Sequence, residues 1–344
     1  MLSTSGFPPM RPKSPGVFVY DPLDHPVDWL EERGVRVTLG APLYATGQRR
    51  PKWDPVDLVR AARGHQALLG ASGALITAEV MRELPELRCV SKLGIGFEVI
   101  DVHAATELGV MVTNTPVHSE VDAVAEHTIA LILGLMKQLH FYNARYIAEG
   151  GWRSGDHMSR TLRNATVGII GLGHIGRAVA ERLAAFGPRL LGYDVRPTEP
   201  NGLVEPVDLD SLLRQADVVT LHASGRAASE GPLLDRARLE LLRAGALLVN
   251  TARGNLVDQS AMVEMLVDGR LGGVAADVYA PEPPAPNDPL LAAPRVLLTP
   301  HCAAWSQDLR REMVQLAMEN VWQMLSGEIP ENLVNPQVLE ARSA

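Results

Sequence analysis

Three glycines have the spacing with which a backbone turn can hold a pyrophosphate. Gly171, Gly173 and Gly176 follow the almost wholly apolar run 166–170, and a helical pattern covers 178–186 after them. In such a turn the first glycine permits the sharp bend, and the second lets the backbone approach the phosphates. The third lets the helix pack closely on the strand. The pattern therefore predicts a dinucleotide-binding turn.

The residues that follow extend this prediction to the rest of the dinucleotide. The free N–H groups of His174 and Ile175 at the helix start would face the phosphates, whereas the His174 side chain is expected to face solvent. Asp194 lies 18 residues beyond Gly176, where a carboxylate can accept hydrogen bonds from ribose hydroxyls. It would repel a 2′-phosphate, which favours NAD over NADP, while Arg196 acts in the opposite direction. A glycine-rich turn that binds nothing is the structural alternative.

Alternating short apolar runs and helical stretches must position this turn. The pattern predicts strands at 17–20, 35–39, 66–69, 88–92 and 110–113, and helices at 78–83 and 102–108. A second set of strands and helices extends from 166 to about 300. Strands that alternate with helices indicate βαβ units, so an α/β fold with parallel sheets is expected.

Two longer helices accompany these sets. One continuous helix is predicted over 119–148, with Ser119 as its N-cap, and its apolar content indicates burial between domains or subunits. The other is predicted at 309–325.

Composition limits the classes of partner. The 344 residues carry 40 acidic and 32 basic side chains, a formal charge of −8 without a basic block, which argues against nucleic acid as a partner. The two cysteines, Cys89 and Cys302, have no metal-type spacing, so we expect no metal and a reduced, cytoplasmic chain. No stretch predicts a secretory signal or a membrane span.

With these residues in place, the chain resembles the D-isomer-specific 2-hydroxyacid dehydrogenases. This family includes glyoxylate/hydroxypyruvate reductases, 3-phosphoglycerate dehydrogenases and D-lactate dehydrogenases. The resemblance extends from about 87 to 336 and depends on motifs in the expected order: the glycine turn, Gly94-Ile-Gly96, Asn114-Thr-Pro116, Val124-Ala-Glu126, Asn250-Thr-Ala-Arg253-Gly254, Asp277-Val278, Pro281-Glu282-Pro283 and Thr299-Pro-His301.

The resemblance implies an architecture of two doubly wound parallel-sheet domains. A Rossmann NAD-binding domain at 119–302 would be inserted in a flavodoxin-like substrate domain made of 1–118 and 303–344. Hinges near Pro116 and His301 would close a cleft between them. It also implies NAD as cofactor, a small 2-keto or 2-hydroxy acid as substrate, and a homodimer joined through the segment that includes the long helix.

The resemblance assigns the reacting groups to Arg253, Glu282 and His301. His301 would be the general acid for reduction of a 2-keto acid and the general base for oxidation, because its ordinary pKa lies near working pH. Glu282 would hold the imidazolium and favour its protonated state. Arg253 offers a planar fork of donors for the substrate carboxylate. The backbone N–H groups of Ile95 and Gly96 would complete the carboxylate site.

Further contacts are expected around the cofactor and the pocket. Asp277 would hold the nicotinamide carboxamide, with a structural cap as the alternative, and His222 and Thr251 would pack beside the cofactor. Cys302 is expected to be a packing residue rather than a nucleophile. Trp305 either walls the pocket or packs in the core.

The individual 2-keto acid stays open at this stage. Relatives that bind 3-phosphoglycerate usually carry arginines in the loop after the third strand, where this chain has Gly70–Ala74 without a cation. A substrate phosphate would then need another group, such as Arg49, Arg50 or Lys52. A short-form 3-phosphoglycerate dehydrogenase is therefore one alternative. Another is an NAD-sensing protein like the C-terminal-binding-protein corepressors, which show a similar stretch to His301–Trp305.

Overall fold

A computed structural model describes residues 14–21, 23, 27–40, 52–71, 73–153, 155, 158–196, 202–223 and 230–341. The chain forms two compact units, Met1–Val117 with Gln307–Ala344 and His118–Ser306. The first predicted boundary differs from this division by one residue (118 against 117), and the second by four (303 against 307). Among the described residues, no helix combines the length and the apolar character needed to cross a bilayer.

The first unit contains a five-stranded parallel sheet in the order β2-β1-β3-β4-β5. This is the flavodoxin-like strand order, as expected. Inner strands are buried along their whole length because helices cover both faces: the strand Ala67–Gly70 is wholly apolar, whereas its neighbour Cys89–Lys92 also buries Ser91. The strands are β1 (Gly16–Val19), β2 (Arg36–Leu39), β3 (Ala67–Gly70), β4 (Cys89–Lys92) and β5 (Met111–Thr113), and the helices are α1 (Asp28–Glu31), α2 (Pro55–Ala62), α3 (Ala78–Arg82) and α4 (Val102–Glu107).

The second unit contains a seven-stranded parallel sheet in the order β12-β11-β10-β9-β6-β7-β8. The order reverses between β6 and β9, as in a Rossmann fold. The strands are β6 (Thr166–Ile170), β7 (Arg189–Tyr193), β8 (Glu205–Pro206), β9 (Val218–Leu221), β10 (Ala246–Asn250), β11 (Leu271–Ala276) and β12 (Val296–Leu298), and the helices are α5 (His118–Met136), α6 (Ala144–Ala148), α7 (His174–Ala184), α8 (Leu209–Gln215), α9 (Arg236–Leu239) and α10 (Gln259–Val267).

The prediction of one helix over 119–148 is wrong, because two helices occupy this segment. α5 ends at Met136, and the backbone adopts a left-handed conformation at Gln138, whose φ is 55°. The Asn143 side chain then accepts hydrogen bonds from the first N–H groups of α6, an N-cap that starts a new helix. Ser119 is not the N-cap, since α5 begins one residue earlier.

The apolar residues of α5 are buried within its own unit. They pack with α7 and with the face of the sheet formed by β10 to β12. This packing accounts for the apolar content that was expected to be buried between domains or subunits.

The chain returns to the first unit through the last two helices, α11 (Gln307–Ser326) and α12 (Val338–Ala341). α11 packs on β3, β4 and β5, and the Ser91 hydroxyl donates to the carbonyl of Ala317 at 3.1 Å. Asn335, which is fully buried, accepts from the Val112 N–H and donates to the carbonyl of Val110. These bonds fix the end of the chain to the edge of the first sheet.

Candidate active site

The glycine turn joins β6 to α7 with the geometry predicted from its spacing. Gly171 has a φ of 95°, in the left-handed region that glycine tolerates. A Cβ at Gly176 would collide with the carbonyl oxygen of Gly171, so only glycine permits this close packing. A Cβ at Gly173 would meet no described atom within 4 Å, which leaves space in front of the start of the helix. The turn therefore fits a bound pyrophosphate.

Asp194 follows β7 and faces the same turn. Its carboxylate accepts hydrogen bonds from the N–H groups of Leu172 at 2.8 Å and of Arg196 at 2.9 Å. Burial alone would raise the pKa of Asp194, but these bonds and the Arg196 charge hold it below its usual value. Oδ1 also faces the Arg196 side chain at 3.7 Å, whereas Oδ2 accepts the Leu172 bond and keeps a second acceptor position with which the ionised side chain can bind a hydroxyl. An adjoining cavity is lined in part by Asp194, Arg196 and Asp208.

A histidine and a glutamate meet in the loops that follow β11 and β12. His301 Nδ1 lies 2.6 Å from Glu282 Oε2, and the two side chains are 50% and 35% exposed. The ionised carboxylate only accepts, so His301 donates through Nδ1. Its second ring nitrogen, Nε2, has no hydrogen-bond partner within the described part of the chain. The pair can therefore present one ring nitrogen to a substrate.

The pair shifts the pKa of each partner in the direction that favours the ionised form. The hydrogen bond with Glu282 raises the pKa of His301 above its usual value, although burial acts against it. Burial would raise the pKa of Glu282, but its bond to His301 and the charges of His301 and Arg253 hold it lower. The pair thus favours an imidazolium beside an ionised carboxylate.

Arg253 lies after β10, next to β11 in the sheet. The Asn250 side chain fixes the local turn because it donates to the carbonyl of Arg253 at 2.9 Å and accepts from the Ala252 N–H at 3.0 Å. The guanidinium donates to the carbonyl of Ala252 at 2.8 Å. Its charge acts on both His301 and Glu282. The ends of three adjacent parallel strands thus bring the three predicted residues together, as such strands do in α/β enzymes.

Asp277 is anchored inside the protein. Its carboxylate is 1% exposed and accepts hydrogen bonds from the Thr299 hydroxyl and from the N–H groups of Cys302 and Ala303. These bonds support the structural alternative, and the contact with a carboxamide stays a prediction. Sequence reasoning did not identify Thr299 as a site residue, although it directly precedes Pro300 and His301.

Two further predicted cofactor residues lie at the ends of neighbouring strands. His222 follows β9, and its Nε2 bonds the Thr220 hydroxyl at 3.0 Å, while its Nδ1 is buried without a hydrogen-bond partner among the described residues. Burial lowers the pKa of His222 to about 3, so the ring is neutral. Thr251 is buried, and its hydroxyl bonds that of Thr128 at 2.9 Å.

Cys302 and Trp305 follow His301 in the chain. Burial and the Asp277 charge raise the pKa of the Cys302 thiol, which disfavours a nucleophilic thiolate. Trp305 is 54% exposed, so the alternative of ordinary core packing is wrong for this side chain.

The predicted carboxylate contacts Ile95 and Gly96 lie in the first unit, after β4. Gly94 has a φ of 98° and donates its N–H to the Thr115 hydroxyl at 2.7 Å, and Asn114 donates to the carbonyl of Ile95 at 2.8 Å. The loop is thus held in a defined turn, and its role toward a carboxylate stays a prediction. Arg49 and Arg50 lie outside the described residues.

Comparison with known proteins identifies relatives over most of the chain. Residues 129–303 match the family model described as "D-isomer specific 2-hydroxyacid dehydrogenase, NAD binding domain". A glyoxylate reductase of Thermofilum pendens is 38% identical over 303 residues, covering 84% of this chain and 88% of that relative. A D-3-phosphoglycerate dehydrogenase of Archaeoglobus fulgidus is 32% identical, covering 94% of this chain but 60% of the relative. The solved TT0316 protein of Thermus thermophilus is 34% identical with a TM-score of 0.84, covering 93% of this chain and 99% of that one.

Proposed function

The chain belongs to the D-isomer specific 2-hydroxyacid dehydrogenase family, and from this premise we propose that His301 is the acid and base of its reaction. The enzyme is an NAD-dependent oxidoreductase that interconverts a 2-keto acid and a D-2-hydroxy acid. The observation that carries the assignment is the 2.6 Å bond between His301 Nδ1 and Glu282 Oε2. This bond leaves Nε2 as the nitrogen that exchanges a proton with substrate.

The dinucleotide site is proposed at the glycine turn. The left-handed Gly171, the open space at Gly173 and the close packing at Gly176 fit a pyrophosphate on the first N–H groups of α7, those of His174 and Ile175. Asp194 would accept from the ribose hydroxyls. His222, Thr251 and Asp277 would line the remainder of the site. When bound, the nicotinamide supplies or accepts the hydride.

Proton transfer is the contribution of the histidine. In reduction, protonated His301 donates from Nε2 to the keto oxygen as that oxygen gains negative charge. In oxidation the neutral ring takes the hydroxyl proton, and Glu282 stabilises the imidazolium that forms. Glu282 is itself oriented by the Tyr279 N–H, which donates to its Oε1 at 2.9 Å.

Substrate orientation is assigned to Arg253 and to the loop that contains Ile95 and Gly96. The guanidinium can bind a carboxylate with two parallel hydrogen bonds, which a point charge cannot. The Arg253 charge acts on both His301 and Glu282, the pair called the dyad from here on, which supports a position of Arg253 beside the reacting atoms. We assign cofactor binding to the unit His118–Ser306.

A panel of substrates tests the activity. Glyoxylate, hydroxypyruvate, 2-ketobutyrate, phenylpyruvate and phosphohydroxypyruvate are each assayed with NADH and NADPH, for the wild type and for His301→Asn. We expect turnover of at least one unphosphorylated acid and a kcat lower by about 10²–10⁴ in the variant, with NADH binding retained. Near-normal turnover of the variant would remove His301 from the mechanism. Tight NADH binding without turnover of any acid would favour an NAD-sensing protein.

Phosphohydroxypyruvate is included because a phosphoglycerate dehydrogenase is among the relatives. We propose an unphosphorylated acid as the preferred substrate, since the loop Gly70–Ala74 contains no cation. A preference for the phosphorylated acid by kcat/KM would reverse this order.

The assembly proposed is a homodimer in the cytoplasm. Among the described residues between α5 and β6, four large apolar side chains are more than half exposed: Leu139, Ile147, Trp152 and Met158. Such a concentration in one segment is typical of a protein interface. Light scattering of the wild type and of the double variant Ile147→Glu, Trp152→Ser tests this. We expect a dimer that the variant dissociates, and a monomeric wild type would refute it.

A further inference from the structure

The loop that carries His301 is tied to the sheet through one carboxylate. Asp277, directly after β11, accepts from the Thr299 hydroxyl at 2.6 Å, from the Cys302 N–H at 2.8 Å and from the Ala303 N–H at 2.9 Å. The bonds reach the loop on both sides of His301. The φ of His301 is 52°, which is uncommon for a residue other than glycine. Surrounding contacts must therefore maintain this backbone conformation.

The Thr299 hydroxyl extends this tie to helix α5. A hydroxyl has one proton, and the 2.6 Å bond to an ionised carboxylate uses it. His127 Nε2 lies 3.1 Å from the same hydroxyl oxygen, so the histidine must be the donor there. The result is a directed chain from His127 through Thr299 to Asp277.

Tyr279 makes a second tie to the same loop. Its hydroxyl donates to the carbonyl of Thr299 at 2.8 Å, and its backbone N–H donates to Glu282 Oε1 at 2.9 Å. The His301 N–H also lies 3.1 Å from the Thr299 carbonyl. One tyrosine thus contacts both the carboxylate of the dyad and the residue that fixes the backbone of the histidine.

The same corner brings together a nitrogen, an oxygen and a sulfur of types that metals bind. Ligand atoms of His127, Asp277 and Cys302 lie within 4.8 Å of one another. Asp277 already accepts three hydrogen bonds, and two of them reach Oδ1, the oxygen that lies 3.8 Å from His127 Nε2. A cation would have to displace these donors. The arrangement is therefore better explained as a hydrogen-bonded network.

We propose that Thr299 is a positioning residue for His301, and that His127 and Tyr279 act through it. Its hydroxyl and carbonyl hold the loop in the conformation that places the imidazole against Glu282. This inference deepens the proposed function and depends on His301 being the acid and base. A misplacement of about 1 Å can cost up to about 10²-fold in rate, so loss of one tie is expected to matter.

Thr299→Val and Thr299→Ser separate the hydroxyl from the shape of the side chain. In Thr299→Val we expect kcat for keto-acid reduction to fall about tenfold or more, with the Kd for NADH within twofold of the wild type. We expect Thr299→Ser to recover most of kcat, because it keeps the hydroxyl. Tyr279→Phe removes the second tie while retaining the ring, and should lower kcat in the same way.

The pH profile distinguishes positioning from a general loss of stability. The charged groups that act on His301 are Glu282, Asp277 and Arg253. In a plot of kcat for reduction against pH, the alkaline limb is the range in which kcat falls as His301 loses its proton. A loosened bond to Glu282 raises the His301 pKa less, so this limb should move to lower pH in Thr299→Val. In Thr299→Ser it should lie at the wild-type pH again. A lower Tm alone would not move this limb.

The possible results of these measurements either support or overturn the positioning role of Thr299. Wild-type kcat and limb in Thr299→Val, or equal impairment in Thr299→Val and Thr299→Ser, would overturn the inference. His301→Asn is measured in parallel: if it keeps its turnover, the proposed function fails, whereas an inactive His301→Asn beside a normal Thr299→Val refutes only the positioning role. If Thr299→Val does not fold, Tyr279→Phe tests the inference instead. A wild-type kcat and an unmoved alkaline limb in Tyr279→Phe would contradict the proposed positioning of His301.

Discussion

Glu282→Gln isolates the effect of the carboxylate on His301, the proposed acid and base. The substitution keeps the size of the side chain and an oxygen that can accept from His301 Nδ1, but it removes the negative charge. In the wild type the bond is 2.6 Å long, and its partners are 50% and 35% exposed. The charge therefore acts across a short bond that water partly screens.

The expected magnitude follows from that geometry. A hydrogen bond to a charged group contributes roughly 1.5–3 kcal/mol. Screening at this exposure reduces the contribution to about 1 kcal/mol, near the value of a surface ion pair. Since about 1.36 kcal/mol corresponds to a factor of ten in rate, kcat for reduction at neutral pH should fall about fivefold.

The direction of the pH shift provides the sharper test. The bond with Glu282 raises the pKa of His301, so the protonated acid persists to higher pH and reduction is lost as pH rises through that pKa. In Glu282→Gln the pKa falls, and the alkaline limb of reduction moves to lower pH. The rising limb of hydroxy-acid oxidation moves in the same direction, because that reaction needs the neutral ring.

The assay is NADH consumption and formation across the pH range, with binding of NADH measured separately. Glu264→Gln is a matched control, because it removes the same charge from a different ion pair. Glu264, on α10, forms an exposed ion pair with Arg236 at 2.7 Å. The control variant should leave both limbs unchanged. Limbs that stay in place in Glu282→Gln would refute the assignment of Glu282 as the partner that tunes His301.

Three further substitutions test other parts of the site. Arg253→Lys should raise the KM for the keto acid and lower kcat by about tenfold each, because an ammonium cannot reproduce the fork; unchanged kinetics would place the carboxylate elsewhere. Asp194→Ala should reduce the preference for NAD over NADP, measured as a kcat/KM ratio, by about tenfold, and an unchanged ratio would assign the preference to other residues. Gly176→Ala should lower the free energy of unfolding by about 1–3 kcal/mol, since the added Cβ would meet the Gly171 carbonyl oxygen. Gly155→Ala is the control and should not lower it, because a Cβ at Gly155 would meet no described atom within 4 Å. Equal stability of these two variants in chemical denaturation would contradict the packing argument.

The sheets were predictable because their signal is local. A strand that is covered on both faces is rich in apolar residues, and each predicted strand of the first unit, including the partly exposed edge strand β2, lies within one residue of its observed bounds at either end. The glycine turn was predictable for a similar reason, since its bend and its close packing depend on residues only a few positions apart.

The helix over 119–148 was misread because its composition favours helix throughout. What ends α5 is the left-handed backbone at Gln138, and what starts α6 is the Asn143 side chain that captures the next N–H groups. Side chains that compete for backbone hydrogen bonds break a helix without changing its hydrophobic pattern, so periodicity alone did not reveal the boundary.

The sequence by itself determined the two α/β units and the glycine turn and, through its resemblance to a family, it singled out the residues proposed to react. Only the tertiary structure decided how those residues meet. Glu282 and His301 are 19 positions apart, and His127 and Thr299 are 172 apart. Their bonds exist because adjacent parallel strands end at one edge and α5 packs beside them, and such long-range contacts follow from strand order and helix packing, which no local pattern encodes.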